Sequence, residues 1–496
     1  MIAPPFKPVL LGLALALAAC SSIPEQPAPV IPDSWFSSEA RPADVETLAD
    51  WWQQFDDPAL TTLVHRAMER NRDVRLAMLR VNSARAQLRQ SRAGLFPSLD
   101  LPGSFNRQWI ENDAEVEPDS PLAELGLDDN IRFDSWELAL QATWELDLFG
   151  ATRARSESAG EQLRSAQAQA IAARLAVASN AAQGYVQLRA LEGQRALLVE
   201  GIAVAAELER IAGLLFHAGE VTRLDVEASS AERASLEADL DELDINLAEA
   251  RLALDTLLAE PPGSTARDLP VQGRVPLAKQ AIPPGQPIEL LRRRPDLIAG
   301  AAQLNSVDLQ SLAARRDLFP QVAVQAALGR SGMALNSDLS SASNFARLGA
   351  TFGLPFLDFA RRGAAIDLAD AERDTAYLSF EQTLADAMEE VERGLVRIDG
   401  QQRRHQALSA TLGHRERAYD LAQRSYRLGE ADLNEVLDAQ RGALQARQRS
   451  LEGRTALATA QVALFVALGG GWQPQPAEQP LAAEIRTAGE GRTGDH

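Results

Sequence analysis

Two stretches of the chain, 149–260 and 356–473, contain no proline at all. Each exceeds 100 residues and is dense in Ala, Leu, Glu, Gln and Arg. A proline inside a helix costs about 3 kcal/mol, so its absence over such lengths of strong helix formers predicts helix throughout both runs. Each run carries one interruption. At Gly219 and Gly429 a glycine can adopt the left-handed conformation that ends a helix, and Thr222 and Asp432, three residues on, are good N-caps. Asp225 and Glu435 then follow at capping-box spacing, opening a return helix in each run. The first helix, over about 151–216, would be roughly 100 Å long at 1.5 Å per residue. A compact core has no use for such rods, whereas a long tube or bridge does.

The two runs belong to an internal duplication. Leu215-Phe216-His217-Ala218-Gly219-Glu220 matches Ser425-Tyr426-Arg427-Leu428-Gly429-Glu430 at an offset of 210, and 253–259 matches 463–469 at the same offset. Leu146-Asp147 matches Leu357-Asp358 at 211, and Leu95-Phe96-Pro97 matches Leu318-Phe319-Pro320 at 223. The jump of 12 puts an insertion in the first half, in the acidic stretch 111–130. Each half then reads as a helix, two strands and a long helical pair. Pro97 and Pro320 stand where helix becomes strand, and the change of direction is a sufficient structural reason for them.

The strands show period-2 alternation. Trp136, Leu138, Leu140, Ala142, Trp144, Leu146 and Leu148 share one face, with Ser135, Glu137, Gln141, Thr143, Glu145 and Asp147 on the other. Leu99, Leu101, Phe105 and Trp109 alternate with Ser98, Asp100, Ser104, Asn106 and Gln108. In the second half Val322, Val324, Ala326 and Leu328, and then Ala346, Leu348, Ala350, Phe352 and Leu354, repeat the pattern. Two amphipathic hairpins on a soluble core would look similar. A membrane barrel accounts better for strands of about 10 residues with aromatics on the apolar face. Four strands cannot close, and an open edge in lipid leaves backbone groups unpaired, so several copies must share one barrel.

The beginning of the chain fits an envelope protein. An apolar run over 9–17 after Lys7 reads as a secretory signal, too short to span a bilayer permanently. Its ending, Leu17-Ala18-Ala19-Cys20, has the form of a bacterial lipobox, with Cys20 as the lipidated mature N-terminus; a signal followed by a stray cysteine is the plainer alternative. Cys20 is the single cysteine, which excludes an intramolecular disulfide. Lys plus Arg is 49 against 69 Asp plus Glu, a net charge of −20 that argues against a nucleic-acid partner.

Further motifs are Arg293-Arg294-Pro295-Asp296-Leu297, Gly353-Leu354-Pro355-Phe356-Leu357-Asp358 and Ala467-Leu468-Gly469-Gly470-Gly471-Trp472. Together with the lipobox and Leu318-Phe319-Pro320, they make the chain resemble the TolC-like outer-membrane efflux proteins, specifically the lipidated subgroup typified by OprM and NodT. The resemblance spans essentially 20–472. It implies an α+β membrane protein in which each copy of a homotrimer gives four strands to one β-barrel, above a long α-helical coiled-coil tunnel. It also implies an outer-membrane exit duct that docks on a periplasmic adaptor and an inner-membrane pump of the RND type. In the family, acidic side chains near the tip ring the periplasmic constriction. The matching positions are Glu435 and Asp438, with Asp225 at the repeat-equivalent place. Glu435 is equally well read as a helix cap, Asp225 is read first as a cap, and Asp438, one turn further in, has no capping duty. The turns at Gly219, Glu220, Gly429 and Glu430 are the expected adaptor contacts, and they are turns in any case.

The expected layout is a signal peptide over 1–19, a lipid-anchored extended leader over 20–55, a first repeat over 56–260, a Pro-rich linker over 261–290, a second repeat over 291–470 and a tail over 471–496. No cofactor and no metal site is expected, because His65, His217, His405, His414 and His496 are scattered without a His-Glu-x-x-His spacing. There is no nucleophile elbow and no phosphate loop, so catalysis has no visible seat. Two rival classes remain: a lipid-anchored coiled-coil tether without a channel, and a surface lipoprotein enzyme.

Overall fold

A computed structural model of the chain describes residues 26–37, 48–111, 130–335, 339–353, 358–431 and 433–473. Cys20, the signal segment, most of the acidic stretch 111–130 and Asp432 lie outside the described residues. The helices and strands are α1 (Pro58–Arg70), α2 (Arg72–Ala93), β1 (Ser98–Asp100), β2 (Gly103–Glu111), β3 (Asn130–Leu146), α3 (Ala151–Ala218), α4 (Arg223–Leu257), the short α5 (Ser264–Asp268) and α6 (Leu290–Arg293), α7 (Pro295–Arg316), β4 (Gln321–Leu335), β5 (Leu339–Gly353), α8 (Phe359–Arg427) and α9 (Leu433–Ala467). The two proline-free runs are thus helical pairs of 68 and 35, and of 69 and 35 residues. Among the described residues no helix is long and apolar enough to cross a membrane.

The chain divides into two compact units, each drawing on both halves of the duplication. The first unit takes 82–164 and 302–378 and holds the sheet. All neighbouring strands run antiparallel, in the order β1–β3–β4–β5, with β2 also on β3. The expected first strand is broken in two, yet its register does not slip: Asp100 faces Gln141 and Gly103 faces Leu138. Pro102 causes the break. It has no N–H to give the ladder, and only its carbonyl takes part, accepting from the Ala139 N–H at 3.2 Å. The sheet is therefore effectively four-stranded, with open edges at β1/β2 and β5.

Where helix becomes strand, the two halves use the same device. The Leu95 and Phe96 N–H groups reach back to the Arg92 and Ala93 carbonyls, and Leu318 and Phe319 do the same to Arg315 and Arg316. Pro97 and Pro320 then start the extended chain. Phe149 stacks on Phe319 at 4.7 Å, so the strand-to-helix turn of one half packs on the helix-to-strand turn of the other. The Asp147 carboxylate accepts from the Thr152 and Arg153 N–H groups at 3.0 and 2.8 Å, which satisfies the first turn of α3.

The second unit, 27–81 with 165–301 and 379–496, holds the main hydrophobic core. Trp51, Trp52, Phe55, Leu60 and Leu63 pack against Tyr185, Leu188, Leu297, Leu384 and Phe465. Trp51 stacks on Phe465 at 5.5 Å. Not every buried polar atom of this unit is paired, since the Trp51 and Trp52 indole nitrogens find no partner among the described residues, but its buried carboxylate Asp255 is. Asp255, 1% exposed, accepts from Gly263 N–H at 2.6 Å, Thr265 N–H at 2.7 Å and the Thr265 hydroxyl at 2.5 Å, closing the turn after α4. Burial pushes this carboxyl up, but the donors of Thr265, Gly263 and Ser264 outweigh it and hold it below the usual range. Asp255→Ala leaves these donors buried and unpaired and is expected to cost about 3 kcal/mol. The native contribution is complete above the ordinary carboxylate range and is lost as pH falls through the lowered value. Urea midpoints of both proteins at pH 7 and in the acid limb should therefore converge as pH drops.

Candidate channel wall and helix tips

Antiparallel register sorts the strand residues onto two faces. Pairing places Leu99 and Phe105 beside Ala142 and Trp136, and Ala142, Leu140 and Trp136 beside Ala326, Leu328 and Gly332. Phe352, Ala350 and Leu348 continue the same face on β5. This face is apolar and open: Leu348 is 82% and Phe352 77% exposed. Trp136 lies over Gly332, where a Cβ would come within 2.5 Å of the indole nitrogen. The opposite face carries Asp100, Ser104, Asn106, Glu137, Gln141, Thr143, Arg347 and Thr351. Arg347 bridges to Glu137 at 3.2 Å over the small residues of β4, and sits 4.0 Å above the Phe345 ring. An oily face and a wet face on one sheet suit a wall between lipid and an aqueous lumen.

The helix turns are built alike in both halves. At the end of α3 the Gly219 N–H bonds to the Phe216 carbonyl at 3.0 Å and the Glu220 N–H to Leu215 at 2.9 Å. At the end of α8, Gly429 bonds to Tyr426 at 3.0 Å and Glu430 to Ser425 at 2.9 Å. This is the Schellman pattern. It requires the left-handed backbone, and the glycines take it with φ of +78° and +76°. Gly219, Glu220, Gly429 and Glu430 are all exposed. The Asp225 carboxylate is occupied as a cap, accepting from the Thr222 N–H at 2.8 Å and its hydroxyl at 2.7 Å, and these bonds hold its pKa low. Glu435 lies in the first turn of α9, and Asp438 is exposed one turn on. The capping partner expected for Glu435, Asp432, lies outside the described residues. Further along the same unit, α3, α4 and α9 enclose a cleft of about 470 Å³, floored by Leu197, Leu208, Leu236, Leu243, Leu437 and Leu444.

Two of the sequence motifs meet in the second unit. The Trp472 indole donates to the Arg293 carbonyl at 2.9 Å, and Arg294 donates to the Ala467 carbonyl at 2.9 Å while pairing with Asp296 and Glu390. The glycine triplet makes this fit possible. A Cβ at Gly469 would lie 2.6 Å from the Arg293 carbonyl oxygen, and one at Gly470 2.8 Å from that of Phe465. The sequence pattern described as outer membrane efflux protein matches residues 63–260 and 287–470. The chain belongs to the outer membrane efflux protein family.

Members of this family resemble it over nearly their whole length. Outer membrane protein OprJ of Pseudomonas aeruginosa is 32% identical over 480 residues, covering 95% of this chain and 96% of that one. The pyoverdine export outer membrane protein OpmQ of the same species is 30% identical over 472 residues, covering 94% and 96%. Among solved structures, the outer-membrane channel OprN matches with a TM-score of 0.78 at 28% identity, over 92% of this chain and all of that one. This outer membrane efflux protein is thus a channel component of an efflux pump, with an α+β fold of sheet and long helical pairs, located in the outer membrane. The relatives named are outer-membrane and channel proteins.

Sequence reasoning passed over the most unusual polar group. Arg189 is fully buried in α3, bonded to Glu192 and the Pro270 carbonyl, each at 2.7 Å, with its guanidinium 4.7 Å from the Tyr185 ring. The signal was available: Arg189 and Glu192 sit three apart in the most apolar part of that helix.

Proposed function

We propose that three copies of this chain close a single twelve-strand barrel, and that the helical pairs form a passive exit duct for small molecules delivered by a periplasmic adaptor and an RND-type inner-membrane pump. The observation that carries this reading is the sheet with an exposed apolar face and two open edges. In hydrocarbon an unpaired edge costs several kcal/mol per group, so β1/β2 of one copy must pair with β5 of the next. Lipidation of Cys20 anchors the chain, and the layout expected from the sequence, with its two repeats and linker, supplies the parts. The turns at Gly219, Glu220, Gly429 and Glu430 face the adaptor. Asp438, with Glu435 beside it, rings the periplasmic constriction. Asp225 serves as a cap, because both Thr222 donors hold its carboxylate. Three copies of Asp438 at a narrow point attract cations and repel anions.

Single-channel recording of the purified protein in a planar bilayer tests this. Small discrete steps with a cation preference are expected, and Asp438→Ala should weaken that preference at least about twofold. Steps insensitive to the substitution would move the constriction to other residues. Silence from folded, oligomeric protein would remove the duct and leave a lipid-anchored tether.

A further inference from the structure

The polarity of the sheet inverts near the hairpin loops. From Leu146 to Trp136 the lipid-side face of β3 is apolar and its other face carries Glu145, Gln141 and Glu137. One rung beyond Trp136, the lipid-side pair is Arg107 with Asp134, bonded twice at 2.7 and 2.9 Å, with Arg132 3.8 Å from the same carboxylate. On the opposite face, the wet one lower down, Phe133 now faces Leu335 directly, and Ile110 and Met333 lie one diagonal step away on β2 and β4. Ile110 is 44% and Met333 53% exposed there. Apolar side chains thus enter the inner face and charged ones the outer, with Gln108 still paired to Phe133 inside and Trp109 to Arg132 outside.

The charged rung sits at the edge of the apolar band, since an ionised pair facing the hydrocarbon centre is destabilising and one near the interface is nearly neutral. Beyond that edge water lies outside the wall, and nothing in the membrane calls for apolar residues inside it. We propose that Ile110, Phe133, Met333 and Leu335, repeated around the barrel, form an apolar collar inside the outer mouth that sets which solutes pass. The inference rests on the shared-barrel reading above. A narrow apolar ring sheds water, so hydrated ions and small charged solutes meet a barrier there, while apolar and amphiphilic solutes cross with little loss. Below the collar the lumen returns to Glu137, Gln141 and Arg347. Once past the periplasmic constriction, a charged solute therefore moves through the barrel freely and slows again at its mouth.

A reporter cysteine at Gln141, on the inner face below the collar, reads this from outside. Intact cells carrying Gln141→Cys are treated with a negatively charged sulfonatoethyl and with a neutral methyl methanethiosulfonate, and both labelling rates are measured. With the collar intact the neutral reagent should react at least about tenfold faster, after correction for intrinsic reactivity. Phe133→Ser with Met333→Ser should raise the charged rate about tenfold and leave the neutral rate unchanged. Met333→Ser alone, at a half-exposed position where little packing is lost, should give about a threefold rise in well-folded protein. A charged rate unaffected by either variant overturns the collar while keeping the barrel. A Gln141→Cys that neither reagent reaches, in any variant, overturns the shared barrel and the collar with it.

Discussion

Gly469→Ala should destabilise the protein by about 3 kcal/mol or more, although it adds a single methyl group. Two terms combine. Gly469 has φ of +73°, a conformation that costs an L-residue about 1–2 kcal/mol. The new Cβ would also stand 2.6 Å from the Arg293 carbonyl oxygen, 2.8 Å from its carbon and 3.2 Å from the Arg294 nitrogen. All three are backbone atoms, which no rotamer change can withdraw. The Arg293 carbonyl is also the acceptor for Trp472, and Arg294 holds Ala467, Asp296 and Glu390, so relieving the clash loosens that whole set. Gly429→Ala is the built-in comparison. It has nearly the same φ, +76°, but nothing lies within 4 Å of its Cβ. It should show only the conformational term, about 1 kcal/mol. Thermal or urea unfolding of the two variants in detergent separates the terms. Equal losses at both positions would mean that close packing against Arg293 contributes nothing.

The same contrast shows what could be read from the sequence. The long helices were legible because proline and glycine punctuate them: the helix expected over about 151–216 runs over Ala151–Ala218, and the return helices open at Arg223 and Leu433, right after the expected caps. Strand parity was legible for the same reason, since a period of two needs no tertiary knowledge. The break at Pro102 was not foreseen, because the alternation of Leu99, Leu101 and Phe105 runs through it undisturbed. The inversion of polarity at Phe133 was also missed. It appears only when register sets Phe133 beside Leu335, 202 residues further along the chain. Gly469, Gly470 and Gly471 stood out as a motif, but their reason is the Arg293 carbonyl and other groups remote in sequence. Local chemistry is visible in a sequence, whereas the meeting of distant segments is not.

Arg189 is the extreme case of that limit, and it carries the second large effect. Glu192→Ala should cost about 3–5 kcal/mol, because it strands a guanidinium that is 0% exposed. Among the described residues Glu192 is the only carboxylate bonded to Arg189, and it also receives Arg251 at 3.3 Å. The Pro270 carbonyl and the Tyr185 ring would remain, and neither carries a countercharge. Arg251 is better placed to adapt, since its side chain is 29% exposed and can turn to water. Tyr185 transmits the disturbance further. Burial, and then its bond to Asp57 at 2.7 Å, push the phenol pKa well above its ordinary value, and Asp57 caps α1 through the Ala59 and Leu60 N–H groups. Replacing both partners with apolar groups of similar size, Arg189→Met with Glu192→Leu, should recover most of the loss, since it removes the charge instead of stranding it. The double-mutant cycle is the decisive measurement. A coupling of several kcal/mol identifies a desolvated ion pair, whereas simple additivity would mean that water reaches Arg189 and the site is not dry.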